Sequence, residues 1–288
     1  MKEQVICFSE LLPERSPKTY KGLVEVLDRY GVLHRLLKGT QDIWCRDYMP
    51  IEIYPGNFVA WGYNPDYLQT EELKKSITDG MSVAQGIGHN LRIHDRHGIL
   101  VDGGNVIKAY GKMIMTCKVF EENPGWRVNE LANILEASMG ARLIVIPWDT
   151  REIYGHTDGV VRIVNENTVV MTNYSQIDPQ MAARFHKCLE PHFRYVRELH
   201  YEVPKPHKNS WAYINWLQTD KVLILPKFNA PEDEQALRQV SAFVPEYKGR
   251  IEMVDATDLI RYEGCLNCAS WEMSPFMNGD VLTISSIL

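Results

Sequence analysis

Apolar runs recur along this chain in pairs, and a short polar turn splits each pair. PIEIY and FVAWGY flank Pro55 to Asn57. NVIKA and KMIMTCKVF flank Tyr110-Gly111, and GVVRIV and TVVMTNY flank Asn165 to Asn167. AYINWL and KVLILPKF flank QTD, and ASWEM and VLTISSIL flank Asn278 to Asp280. Gly, Asn and Asp at such tips tolerate the positive φ that tight turns need, so each pair predicts a β-hairpin. Between hairpins the apolar spacing changes to that of a helix. It does so in Ser16 to Gly31, in NPGWRVNELANILEASMG, in Asp178 to Phe193 and in Ala230 to Val244. Gly140 closes the second of these as helices often close. Pro231 and Glu232 suit a first turn. Further strands, RLIVIPW and RIEMV, follow two of the helices.

The segments just ahead of the hairpins carry the chemistry, and they are evenly spaced. WCRD ends at Asp47, DGGN starts at Asp102, GHTD starts at His156 and CLNC ends at Cys268. The first two intervals are 55 and 54 residues, and the third, 112, is twice 56. A missing unit is therefore expected near residue 212, where Trp211 to Asn215 lies. Sequence repeats of this length signal a repetitive architecture. The expected fold is α/β, a propeller of five ββαβ-like units of about 56 residues around a pseudo-fivefold axis. It spans residues 1–288 as one domain. The first strand, QVICFS, has no hairpin before it and would complete the last unit, closing the ring from both chain ends.

Composition narrows the class. The chain has 288 residues, 45% hydrophobic and 24% charged, with a net charge of −6. That argues against a nucleic-acid binder that relies on overall positive charge. No apolar run is long enough to cross a membrane. Glu3, Glu10 and Glu14 interrupt the N-terminus where a secretory signal would be apolar. Cys7, Cys45, Cys117, Cys188, Cys265 and Cys268 are read mostly as small buried residues of a protein in the reducing cytoplasm.

Convergence of the loops would gather Asp47, Asp102, His156, Asp158 and Cys268 in one site. A Cys nucleophile needs a depressed pKa or a base, and carboxylates alone would raise it. The set makes sense if the substrate is a cation, and a planar guanidinium suits two carboxylates. WCRDYMP, VDGGNVI, YGHTDGVV, YINW with VLILPKFNAPEDEQAL, and a late Cys follow one another over residues 40 to 275. In this the chain resembles the guanidino-group modifying enzymes, the pentein superfamily, in its agmatine deiminase and bacterial peptidylarginine deiminase branch.

The resemblance implies a fivefold α/β propeller and cysteine-dependent hydrolysis of an amidine C–N bond, with no metal or organic cofactor. It assigns Cys268 as nucleophile, His156 as proton carrier and Asp102 as the group that positions His156. Asp47 and Asp158 would hold a small cationic guanidino substrate, with Trp44 against its face. Neither nucleic acid nor membrane is an expected partner, and a homo-oligomer is compatible with the reading. The chain departs from the family in three places. Asp102 stands for the usual Glu, Asn267 for the usual His or Arg before the nucleophile, and EGCLNC for a glycine-rich run. Plainer readings stand beside these. Cys265-x-x-Cys268 would need a second ligand pair to hold a metal. HDRHG (His94 to Gly98) reads as a polar loop, and Asp47 could simply pair with Arg46 or cap a turn. Amidino transfer to an amine, and a binding protein on the same fold without catalysis, are the competing functions.

Overall fold

The computed structural model describes residues 4–87 and 91–274. Among them are five three-stranded sheets, each with an antiparallel pair followed by a parallel third strand. The first sheet contains Ile51–Tyr54, Asn57–Gly62 and Arg92–Leu100. The second contains Ile107–Ala109, Lys112–Thr116 and Arg142–Ile146. The third contains Val161–Asn165, Thr168–Met171 and Tyr195–Glu198, and the fourth Leu217–Gln218, Leu223–Lys227 and Ile251–Asp255. The fifth joins the chain ends. Ser270–Met273 pairs antiparallel with Val5–Ser9, which pairs parallel with Leu33–Leu37. The expected closure of the ring is therefore present. The second half of the last expected hairpin, residues 281–288, lies outside the described residues.

Helices Pro17–Arg29, Val128–Met139, Pro179–Leu189 and Glu232–Phe243 make the crossovers of four sheets. The first sheet has instead a longer connection that carries the short helix Gly80–Gln85. The middle strands are buried along most of their length, and Val5–Ser9 and Asn57–Gly62 along all of it. Both faces are covered because side chains alternate across a strand and feed the seams on either side. Phe58 packs with Trp271 and Tyr48 in one seam, and Val59 with Met113 and Leu131 in the next. Ile114 joins Val161 and Phe185, Val170 joins Leu223 and Val240, and Ile224 joins Phe8 and Leu27. Five apolar clusters thus fill the five seams, and the middle strands are largely apolar for that reason. The inner strands surround a polar cavity of about 390 Å³, and every sheet contributes to its lining, with Glu52, Lys108, Arg162, Gln218 and Glu272 among the polar residues there.

Two local expectations are corrected. AYIN is not strand. Ser210–Ile214 forms a 3₁₀ turn, and the strand is only Leu217–Gln218. Arg162 donates to the carbonyls of Ile214 (3.2 Å) and Trp216 (2.6 Å) and so occupies acceptors a longer ladder would use. HDRHG is not a loop but part of the edge strand Arg92–Leu100, whose backbone pairs with Asn57–Gly62 while its polar side chains remain in solvent.

Candidate active site

The five motif segments meet at the N-terminal ends of the inner strands. Four contain a single helical turn: Cys45–Tyr48, Gly103–Asn105, Thr157–Gly159 and Ser210–Ile214. Each segment is hydrogen-bonded to the next, and the bonds close a ring. Gly104 N donates to Asp47 Oδ1 at 3.0 Å, and Thr157 Oγ1 to Asn105 Oδ1 at 2.8 Å. Asn215 Nδ2 donates to the Asp158 carbonyl at 3.2 Å, and Asn267 N to Asn215 Oδ1 at 3.0 Å. Arg46 N, donating to the Cys268 carbonyl at 3.1 Å, completes it. The two glycines of DGGN permit this closeness. A Cβ on Gly103 would lie 2.0 Å from the Arg46 carbonyl oxygen, and one on Gly104 2.5 Å from Asp47 Oδ1 and 2.6 Å from His156 Nδ1. They serve a close approach of loops, not a turn of unusual φ.

Cys268 is 7% exposed, and its Sγ lies 3.3 Å from Asp158 Oδ2 and 3.4 Å from Asn215 Oδ1. Burial, then the charges of Asp158 and Asp47, push the thiol well above its ordinary range. His156 lies between two carboxylates. Its Nε2 is 3.1 Å from Asp102 Oδ2 and its Nδ1 3.6 Å from Asp47 Oδ1. Burial alone would lower its pKa, but Asp47, Asp102 and Asp158 outweigh it and raise it to about 10. Burial raises Asp47 to about 7. The positive charge on His156 pulls it down, and the nearby Asp102 and Asp158 push it up. Three buried carboxylates therefore share one imidazolium.

The structure brings together all of Asp47, Asp102, His156, Asp158 and Cys268. The shorter Asp102 still reaches His156, so the missing methylene does not break that contact. Trp44 is half-buried against the apolar seam that holds Ile43 and Cys265, and a Cβ on Gly264 would lie 2.5 Å from its ring. Asp47 does not pair with Arg46, whose Nε donates to the Asn267 carbonyl at 3.3 Å. Cys265 is fully buried in the seam beside Leu266 and Ala269, and burial raises its thiol pKa. Cys117 and Cys188 are only half-buried, unlike the other four cysteines.

Four residues near the site were given no role by the sequence reading. Asn215 receives the backbone N–H groups of both Asn267 and Cys268 on Oδ1 (3.0 and 3.2 Å). Its place in the fourth repeat was the available signal. Asn267, where the family carries His or Arg, donates through Nδ2 to Asp158 Oδ2 at 2.7 Å. Asn105 accepts from Thr116 N and Thr157 Oγ1, both at 2.8 Å. Tyr67, whose OH donates to Asp102 Oδ2 at 3.0 Å, comes from the long connection of the first sheet and from no repeat position. Nothing in the periodic pattern could have found it.

Five pseudosymmetric units around a site of one cysteine, one histidine and three carboxylates define a pentein of the guanidino-group modifying type. The profile of the Porphyromonas-type peptidyl-arginine deiminase family matches residues 14–274, and the chain belongs to that family. Membership carries a coarse function, that of a hydrolase acting on guanidino groups. No curated protein sequence matches the chain. Among solved structures the fold is similar to C. jejuni agmatine deiminase, with a TM-score of 0.74 at 17% identity over 96% of this chain and 95% of that one. It is similar also to agmatine deiminase of Enterococcus faecalis (0.70, 14%, 95% and 94%). A dimethylarginine dimethylaminohydrolase gives 0.61 at 11% identity over 95% of this chain and 100% of the other.

Proposed function

We propose that the protein is a cysteine-dependent deiminase of agmatine or a related small guanidino compound, acting in the cytoplasm. One observation carries the reading: Asp102 and Asp47 flank His156 at 3.1 and 3.6 Å while Asp158 lies 3.3 Å from the Cys268 sulfur, an acidic cluster suited to a cationic substrate. A guanidinium supplies that charge and presents N–H groups to Asp47 and Asp158. Bound there, it lowers the cost of ionising Cys268, which burial and the charges of Asp158 and Asp47 oppose.

The Cys268 thiolate attacks the guanidinium carbon, forming a C–S bond and a tetrahedral adduct. His156, held by Asp102, donates its proton to the departing nitrogen, and the C–N bond breaks with release of ammonia. An amidino-thioether and a neutral imidazole remain. His156 then takes a proton from water, whose oxygen adds to the same carbon. Collapse expels the Cys268 thiolate and leaves a ureido product. Alignment by the closed loops can supply on the order of 7–11 kcal/mol of the barrier at best. The proton transfer supplies roughly 10²–10⁴-fold.

The test is an ammonia-release screen over agmatine, free arginine, methylated arginines and arginyl peptides, with no acceptor amine added. Stoichiometric ammonia and ureido product support hydrolysis, and product formation only with an added amine supports amidino transfer instead. No turnover of any compound, together with no alkylation of Cys268 by a haloacetamidine, overturns the proposal.

A further inference from the structure

The period that spaces the catalytic loops also spaces a second set of polar residues. Glu52, Lys108, Arg162, Gln218 and Glu272 follow one another at intervals of 56, 54, 56 and 54 residues, one in the inner strand of each sheet, and all line the axial cavity. Asp47, Asp102, His156, Asp158 and Cys268 do not line it. Arg46, Gly103 and Asn267 do, so the cavity reaches the back of the loops that carry the catalytic side chains.

The order of the sheets sorts these charges. The fifth sheet shares a seam with the first, and the second with the third. Around the axis Glu272 is therefore followed by Glu52, and Lys108 by Arg162, with Gln218 between Arg162 and Glu272. One half of the ring is acidic and the other basic. Among the described residues no ion pair joins the halves, and neutral groups hold each charge instead. Glu52 accepts from Gly56 N at 2.9 Å and from Ser274 N and Oγ, both at 3.1 Å. Glu272 Oε2 accepts from Gln4 Nε2 at 2.8 Å, and Lys108 Nζ donates to the Ile53 carbonyl at 2.7 Å. Arg162 donates to two carbonyls through Nε and Nη2. Arg162 Nη1 and Glu272 Oε1 have no protein partner among the described residues. Burial lowers Lys108, and the charge of Glu52 does not offset it. Burial lowers Arg162 to about 10. Asp158 and Glu272 raise it, Arg46 lowers it further, and burial prevails.

We propose that the axial cavity is a second ligand site, separate from the catalytic one, and that it takes a small zwitterion. The ammonium of the ligand meets Glu52 and Glu272, and its carboxylate meets Lys108 and Arg162. A carboxylate suits the fork of a guanidinium, and about 390 Å³ is a volume typical of small-molecule sites. A compound with a single charge satisfies one half of the ring and leaves the other as it was. The proposal does not rest on the guanidino-hydrolase reading, and turnover is not its readout.

Calorimetry on the full chain tests it with β-alanine, 4-aminobutyrate and 6-aminohexanoate, which separate their two charges by increasing lengths, and with butylamine and butyrate as single-charge controls. At least one zwitterion should bind, and the controls should bind at least about tenfold more weakly. Glu272→Gln still accepts from Gln4 and removes only the charge, and Lys108→Gln removes one from the opposite half. Each should weaken the best zwitterion by about 10- to 100-fold, as for a charge-assisted hydrogen bond. Asp47→Asn, on the catalytic side, should leave it unchanged. The proposal is overturned if no zwitterion binds, if a control binds as tightly, if both ring variants bind like wild type, or if Asp47→Asn weakens binding as much as they do. Should a ring variant fail to fold by circular dichroism, a wild-type crystal soaked with the tightest compound decides. Density spanning the two halves supports the site, and density elsewhere or none overturns it.

Discussion

Replacing Asp102 by Asn isolates the charge that positions His156. The bond from His156 Nε2 to Asp102 Oδ2 is 3.1 Å, and both side chains are buried. A hydrogen bond to a charged partner is worth about 1.5–3 kcal/mol, and one pKa unit is about 1.36 kcal/mol, so the imidazolium should lose about one to two units. From a folded value of about 10 it should fall to about 8–9. It should stay above its ordinary 6.5, because Asp47 remains 3.6 Å from Nδ1. The sign follows from linkage. A histidine raised in the folded state adds stability that is complete below 6.5 and is lost as pH rises through about 10. In the Asn variant the loss should begin at the same pH but be smaller and complete by about 8–9. The assay is ¹³C-histidine NMR titration, with His156 assigned by its absence in His156→Ala, alongside the pH–rate profile. The alkaline limb should move toward neutrality with the imidazole. A titration that does not move refutes the role given to Asp102. A fall below 6.5 refutes the claim that Asp47 shares the imidazolium.

Cys268→Ser should abolish ammonia release without altering the circular dichroism, because a hydroxyl is a far poorer nucleophile at neutral pH. Cys265→Ser should retain most activity, since its sulfur faces the seam and not the site. Gly104→Ala should reduce kcat by at least tenfold, as the new methyl would sit 2.5 Å from Asp47 Oδ1 and 2.6 Å from His156 Nδ1. An active Ala variant would show that those side chains can move apart without cost. Asn267→Ala removes the 2.7 Å bond to Asp158 Oδ2. It should weaken kcat/KM by an amount corresponding to about 1.5–3 kcal/mol, whereas unchanged kinetics would mean that Asp158 needs no such support.

The repeat was legible because each motif precedes a hairpin and the spacing of Asp47, Asp102, His156 and Cys268 holds to within two residues. The same periodicity located the segment containing Asn215, yet not its job. That job is to bond the amides of Asn267 and Cys268, and it exists only once the fourth and fifth loops are side by side. Asn267 read as a departure from the family. The structure puts its amide on Asp158.

Local sequence thus determined four of the hairpins, the four long crossover helices and the order of the chemically loaded loops. Each depends on turn residues and apolar spacing over a few positions. It also set the apolar runs that become the middle strands. Only the tertiary structure decided why: alternate side chains of one strand fill two different seams, so neither face is left to solvent. It also set the register in which Val5–Ser9 pairs antiparallel with Ser270–Met273, a closure the unpaired first strand had already suggested. The charge state of the site belongs to the same class. His156, Asp47 and Cys268 are ordinary side chains in sequence. Their pKa values are displaced because folding buries them with Asp102 and Asp158, where water no longer screens one from another.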